Sequence, residues 1–205
     1  HNDDDGEDDE VSLTLFHNHS SIIPSRQQVL YYLSSSNQLL IQKADREIQI
    51  TDTSNFPLFD IWAEKIWCSG SLWVMESYGR RVVIISDTMN TNNNGWRTRR
   101  GVNIQSVIDW NNQILAYFLP GDPFLIQNSQ RQTIIRCSSL PTVEGRRENW
   151  ECILEEAGRE AARLDNGQLR FSPQLGFQLK LLIISALSRA LTTPRSSRSC
   201  FSFLR

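Results

Sequence analysis

The sequence is poor in histidine, the residue that most often acts as a general acid or base in enzymes. It has three histidines, all before residue 20, and it lacks the short motifs of phosphate-binding loops and serine-hydrolase nucleophiles. A Ser or Cys nucleophile would therefore need a histidine from the N-terminal arm as its base. Cys68 lies within an apolar run and is predicted to be a core residue. We expect a protein without catalytic activity and without a cofactor.

Cysteines are also few. Cys68, Cys137, Cys152 and Cys200 have neither CxxC spacing nor the density of a disulfide-stapled domain. No apolar run reaches the roughly 18 residues of a membrane helix, and no charged-then-apolar leader opens the chain. These features predict an intracellular protein, cytoplasmic or nuclear, without a membrane span.

A metal site is the third feature for which the sequence gives little support. His17 and His19 lie on the same face of an extended segment, a spacing that can chelate a metal once a third ligand arrives. Nothing nearby in sequence supplies that ligand. We therefore predict no metal site.

Charge is distributed unevenly along the chain. Seven of the first ten residues are acidic, and residues 1–10 are predicted to form a solvated, disordered tail. The rest of the chain then carries 16 acidic against 21 basic residues. Residues 193–205 are rich in Arg and Ser and predict a flexible basic tail.

Between these tails, short apolar runs separated by turn residues predict an antiparallel β domain over residues 11–141. Val11–Phe16 alternates apolar and polar residues and predicts a first strand. Three copies of a strand-turn-strand-turn-strand pattern follow, and they cover Val29–Thr51, Ile66–Ser86 and Val107–Gln127.

The three copies close at Asp52, Asp87 and Asn128, which are 35 and 41 residues apart, and each is followed by a further apolar run. From Val29 to Pro141 this pattern resembles degenerate β-propeller blades of the WD40-like or kelch-like type, which have four strands at a period near 40. The resemblance implies small sheets packed face to face. A β-sandwich or barrel spaces its strands similarly and stays the alternative.

After Pro141 the apolar spacing becomes helical. A first helix is predicted from the periodic residues Trp150, Ile153, Leu154, Ala157, Ala161 and Leu164. Asn149 is its predicted N-cap, and Asn166-Gly167 its predicted C-terminal stop.

A second helix, Leu175 to Leu191, is opened by Ser172-Pro173 and is apolar almost all round. It must therefore pack on the β part, on further helices or on a partner chain. The two helices predict a helical hairpin over residues 146–192, so the fold class is mainly β with C-terminal α.

Clustered arginines and large apolar side chains are the candidate binding residues. Asn90 to Gly95 predicts an exposed loop that carries Trp96 and a group of arginines. The residues predicted to contact a protein partner or a second copy are Arg80, Arg81, Trp96, Arg97, Arg99, Arg100, Leu181 and Ile184.

These patterns predict a non-catalytic protein-interaction scaffold that is a subunit or a fragment of a larger assembly. The alternative is a nucleic-acid-associated protein, because clustered arginines on loops attract phosphate without reading sequence.

Overall fold

Twelve antiparallel strands close into one barrel, with one helix at its end and a second helix inside it. The computed structural model describes residues 25–44, 47–66, 70–87, 104–141 and 149–192. The helices are α1 (Arg26–Ser35) and α2 (Phe177–Thr192). The strands are β1 (Gln38–Lys43), β2 (Glu47–Thr51), β3 (Pro57–Ile66), β4 (Gly70–Ser77), β5 (Arg80–Asp87), β6 (Gln105–Asp109), β7 (Ile114–Leu119), β8 (Phe124–Gln127), β9 (Thr133–Ser139), β10 (Trp150–Leu154), β11 (Arg159–Asp165) and β12 (Gln168–Phe171).

Each strand pairs with the next in the chain, and the first strand pairs with the last. Leu39 of β1 faces Leu169 of β12, which closes the ring. The prediction of propeller blades was wrong, because the strands form one continuous closed sheet instead of several separate four-stranded sheets. The alternative of a barrel is confirmed, as is the mainly β fold with a C-terminal helix.

Three hairpin turns of the barrel share one construction. Asp52, Asp109 and Asn128 each accept hydrogen bonds, through Oδ1, from the backbone N–H groups two and four residues later, at 2.8–3.0 Å. The residue three positions later is left-handed in every case, and these residues are Asn55, Asn112 and Arg131, with φ of 63, 61 and 64°. Two of the three residues predicted to close the copies, Asp52 and Asn128, therefore begin hairpin turns.

The run Val29–Leu33, predicted as a strand, belongs instead to α1. Ser25 accepts from the backbone N–H of Gln28 at 3.2 Å, and the Gln28 side chain accepts from the backbone N–H of Ser25 at 2.6 Å. This reciprocal capping box satisfies two donors at the start of the helix. Val29 and Leu33, four residues apart, then face the core together.

The first helix of the predicted hairpin was also wrong, because residues 150–165 form β10 and β11. The turn between them includes Gly158 at φ 60°, a conformation that favours glycine. Asn149 accepts, through Oδ1, from the backbone N–H of Asn166 at 3.0 Å and caps no helix. Asn166 and Gly167, predicted to stop a helix, have φ of 49 and 82° and form the β11–β12 turn.

The second predicted helix is confirmed as α2, and it runs through the interior of the barrel. Nine consecutive residues, Lys180 to Ser188, are buried. Nine residues make two and a half helical turns, so every face of this segment is covered. Its apolar side chains belong to the same core as the inward-facing residues of the strands. The barrel is therefore packed solid around its own C-terminal helix.

Cys137 of β9 and Cys152 of β10 face each other across the sheet and form a disulfide inside the barrel. Both side chains are fully buried. The sequence did not predict this pairing, because the two cysteines are 15 residues apart and belong to no spacing motif. The intracellular location stays a prediction.

Candidate interaction surface at the α1 end of the barrel

The two ends of the barrel differ in construction. Because the strands alternate in direction, the turns 52–56, 78–79, 110–113, 128–132 and 155–158 all lie at one end. Helix α1 and the first residues of α2 lie at that end too, which we call the α1 end. At the far end β1 finishes at Lys43 and α2 finishes at Thr192.

Lys180 anchors α1 to α2. Its Nζ lies 3.1, 2.9 and 2.6 Å from the backbone oxygens of Leu33, Ser34 and Ser36, at the C-terminus of α1, and 3.3 Å from Oδ1 of Asn37. A cation is favoured there because the helix dipole places partial negative charge on the last carbonyls. The residue is fully buried, and desolvation lowers the pKa of the amine below its usual value of 10.5.

A second contact joins α1 to the β2–β3 turn. The hydroxyl of Tyr32 donates to Oδ2 of Asp52 at 3.3 Å, while Oδ1 of the same carboxylate holds the turn. Beside it the hydroxyl of Tyr78 donates to the backbone oxygen of Pro57 at 2.7 Å, and its ring lies 6.3 Å from the ring of Phe56. Two adjacent turns and α1 are thereby fixed to one another.

Both tyrosines are harder to ionise than a free tyrosine. Burial, and then the negative charges of Asp52 and Asp60, raise the pKa of Tyr78 to about 12. Burial and the Asp52 carboxylate likewise raise the pKa of Tyr32. Their hydroxyl groups therefore stay protonated as structural donors near neutral pH.

Large apolar side chains are exposed at this same end. Among the described residues the exposed large hydrophobic side chains are Tyr31 in α1 at 69%, Ile114 at the start of β7 at 48%, and Phe177 at the start of α2 at 36%. Each belongs to an element that begins or lies at the α1 end. We call these three residues the apolar end group.

The far end is polar where α2 leaves the barrel. The guanidinium of Arg189 lies 4.7 Å from the ring centre of Trp73 on β4, a cation–π contact. Nζ of Lys43 donates to the backbone oxygen of Leu191 at 2.9 Å, which satisfies a carbonyl of the last turn. These contacts hold the C-terminus of α2 in the barrel mouth.

Four of the residues predicted to contact a partner lie in the described part of the chain, and they do not form one surface. Arg80 and Arg81 begin β5 at the α1 end, and Arg81 lies 3.8 Å from Glu64 and 3.7 Å from Glu76. Leu181 and Ile184 lie inside the barrel, where the chain itself covers them. Their predicted contact with a partner stays a prediction that no observation supports.

The remaining predicted residues lie outside the described part of the chain: Trp96, Arg97, Arg99, Arg100, His17, His19 and Cys68. The segment that holds Trp96 and the three arginines starts from the last residue of β5, seven residues along the strand from Arg80. At 3.3 Å per residue its starting point is roughly 23 Å along the strand from the α1 end.

Within the described residues, no three His, Cys, Asp or Glu side chains are grouped as metal ligands would be. Neither described helix combines the length and the apolar character that crossing a membrane requires.

Sequence reasoning missed the residues that organise the α1 end. Lys180 lies within the run Leu175 to Leu191, whose apolar composition predicted a buried helix but gave no role to its lysine. A signal for α1 was nevertheless present, because Ser25 followed three residues later by Gln28 is a capping-box pattern. No local pattern could have paired Tyr32 with Asp52, which lie 20 residues apart.

The chain is thus an antiparallel β-barrel built around a central helix. No protein-family profile and no curated protein sequence matches it. Its structure is similar to the X-ray structure of a protein from Arabidopsis thaliana, AT5G01750, with a TM-score of 0.54 and 12% sequence identity. The likeness covers 83% of this chain and 98% of the Arabidopsis protein. At that identity it establishes a shared fold alone.

Proposed function

We propose that this protein is a non-catalytic protein-binding subunit that contacts its partner through the α1 end of the barrel. The observation that carries the proposal is the apolar end group, Tyr31, Ile114 and Phe177, exposed at the end where α1 is anchored. Exposed aromatic and aliphatic side chains on a rigid support are typical of the energetic centre of a protein interface.

The filled interior supports the same proposal. Barrels that bind small ligands keep a cavity at their centre, whereas α2 occupies the centre of this one. Binding therefore falls to the outside of the molecule. A closed barrel also offers no strand edge for pairing, so side chains at its ends and on its outer wall must make the contacts.

Anchoring of α1 makes the surface rigid. The Lys180 contacts and the Tyr32–Asp52 hydrogen bond fix α1 to α2 and to the β2–β3 turn. A pre-ordered surface loses less conformational entropy when it binds. The backbone of Tyr31, next to Tyr32 in the helix, is therefore held in place at this end of the barrel.

The test compares two double variants in quantitative affinity capture from extracts of the source organism. Tyr31→Ser with Ile114→Ser removes apolar surface from the α1 end, and Gln168→Ser with Glu151→Ser changes half-exposed polar positions towards the far end of the barrel. We expect a defined protein to be lost with the first variant and kept with the second. A purified candidate should then bind at least about tenfold more weakly to the first variant, as expected when interface anchors are truncated. Equal capture by both variants would contradict the proposal.

Nucleic-acid association stays an alternative without support from the described residues. Of the two described arginines in the predicted set, Arg81 already has two acidic neighbours, Glu64 and Glu76. Phosphate binding of the sequence-independent kind needs a face of unopposed cations.

A further inference from the structure

Three exposed arginines lie at the turns of the α1 end. Arg80 and Arg159 directly follow the β4–β5 and β10–β11 turns, and Arg131 lies within the β8–β9 turn. We call these three residues the rim arginines. Ile114 of the apolar end group follows the β6–β7 turn, so it lies between Arg80 and Arg131 in the order of the strands around the barrel. Cationic and apolar side chains therefore share this end.

The rim arginines differ from other arginines of the barrel in their partners. The guanidinium of Arg131 lies 3.3 Å from the ring centre of Tyr117, and Nη1 of Arg159 donates to Oε1 of Gln174 at 3.3 Å. No ion pair joins a rim arginine to a described carboxylate. By contrast, three arginines further along the strands are ion-paired with carboxylates, and these are Arg81, Arg136 and Arg163.

Most carboxylates at or beside the turns of the α1 end already have partners. Two are buried and accept from backbone N–H groups of hairpin turns, and three are ion-paired with arginines: Asp52 and Asp109, and then Glu76, Glu155 and Glu160. In the described part of this end, Glu156 is the exposed carboxylate that has no ion pair. The charges left for a partner are therefore three positive against one negative.

Helix α2 adds to the positive potential. It begins at the α1 end with Phe177, and its first turn carries no acidic side chain. The N-terminus of a helix carries partial positive charge. The partial negative charge at the C-terminus of α1 is already met by the ammonium of Lys180. The α1 end thus combines positive potential with the apolar end group.

We propose that the α1 end binds an acidic protein surface, one in which carboxylates flank an apolar centre. This inference rests on the proposed function and adds the chemistry of the partner. Carboxylates of the partner lie opposite the rim arginines, and its apolar side chains pack on the apolar end group. Such charge complementarity speeds association and excludes partners of the wrong charge. Because apolar side chains interrupt the rim arginines, they do not form the continuous cationic face that nucleic-acid phosphates require.

Charge reversal in the full chain tests the inference. The rim variant combines Arg80→Glu with Arg131→Glu. The matched control combines Lys43→Glu with Arg170→Glu, which are exposed cations at the far end and on the outer wall. Both variants change the net charge equally, and circular dichroism checks that each is folded. The probe is a short fluorescein-labelled peptide composed of Glu, Leu and Trp, and its matched peptide has Lys in place of every Glu.

We expect the acidic peptide, measured by fluorescence anisotropy, to bind the rim variant at least about tenfold more weakly than the wild type or the control, because like charges then face each other. The difference should shrink at about 1 M salt, where charges are screened beyond about 3 Å. No binding to the wild type, equal binding by the rim variant and the control, or tighter binding of the basic peptide would overturn the inference.

The same assay separates an acidic protein from other anionic partners. Tighter binding of phosphatidylserine vesicles or of a single-stranded DNA oligonucleotide, lost in the rim variant, would overturn the inference in favour of a membrane or a nucleic acid. The proposed function is judged separately by Tyr31→Ser with Ile114→Ser. If that variant loses its captured protein while the rim variant keeps it, the α1 end is an interface and the acidic character of its partner is overturned.

Discussion

At the scale of single residues, Lys180 is the residue on which the α1 end most depends. Lys180→Met keeps much of the side-chain length but removes the donor, and the buried carbonyl oxygens of α1 lose their partner. Leaving buried polar groups unsatisfied costs about 1–3 kcal/mol each. We expect the free energy of unfolding, measured by urea denaturation, to fall by about 3 kcal/mol.

Lys43→Met is the matched control for that measurement. Lys43 also donates to a backbone oxygen at the C-terminus of a helix, but its side chain is exposed. Water can replace the lost donor there, so the change should stay within about 0.5 kcal/mol. Equal effects of the two substitutions would mean that Lys180 does not anchor α1.

Tyr78 predicts a dependence of stability on alkaline pH. Its pKa is about 12 in the folded protein and 10.0 in an ordinary environment, so the folded state holds this proton more tightly than the unfolded state. The stabilisation is fully present below pH 10 and is lost as the pH rises towards 12. The difference in unfolding free energy between the wild type and Tyr78→Phe should therefore shrink from pH 10 to pH 12.

That comparison isolates Tyr78 from the other titrating groups. As the pH rises, the raised pKa of Tyr32 also lowers the stability of the fold, whereas the lowered pKa of Lys180 raises it. Both groups are present in the wild type and in Tyr78→Phe, so their effects cancel in the difference. A difference between the wild type and Tyr78→Phe that did not change between pH 9 and 12 would contradict the assignment.

At the scale of elements, three hairpin turns define the register of the strands that they join. These turns begin at Asp52, Asp109 and Asn128. Asp109→Ala removes a buried carboxylate that accepts from two backbone N–H groups of an exposed turn, so we expect a loss of about 1–2 kcal/mol in thermal or urea unfolding. Asp109→Asn should be close to neutral, because Asn128 makes the same two bonds through an amide oxygen. A large loss in the Asn variant would show that the charge, and not the acceptor geometry, supports the turn.

The elements also show where sequence patterns succeed and where they mislead. The all-round apolar run that became α2 was predictable, because no strand or surface helix has that composition. Residues 150–164 were mispredicted because Trp150, Ile153, Leu154, Ala157 and Ala161 fit a helical period by coincidence. In the fold, Trp150 and Cys152 of β10 and Ala162 and Leu164 of β11 are buried, whereas the residues between them are more exposed. This alternation is the pattern of a strand.

At the scale of the whole molecule, the disulfide between β9 and β10 is a measurable part of the stability. A crosslink that encloses about 15 residues stabilises a fold by roughly 3 kcal/mol in the chain-entropy account. The midpoint of urea unfolding should therefore fall when a reductant is added. The Cys137→Ala, Cys152→Ala double variant should be insensitive to the reductant, and equal shifts in both proteins would rule out the bond as the cause.

Closure of the barrel could not be predicted from the sequence. A propeller, a sandwich and a barrel all consist of antiparallel hairpins with the same local pattern, and they differ in which distant strands pair. The pairing of Leu39 with Leu169 joins the first strand to the last and identifies this fold as a barrel. These two residues are too far apart in the sequence for any local periodicity to predict their pairing. The α1 end was hidden for the same reason, since Lys180 meets Leu33 across 147 residues.

Nuclear Overhauser effects between methyl groups test the central claim, that α2 fills a closed barrel, most directly. A helix outside a sheet can touch only a few adjacent strands, whereas a central helix touches strands around the whole circumference. We predict contacts from the methyl groups of Leu181 to Leu187 to strands on different sides of the barrel, with Ile50 of β2, Ile85 of β5, Ile126 of β8 and Leu164 of β11 as the reporters. Contacts confined to two or three neighbouring strands would contradict the account.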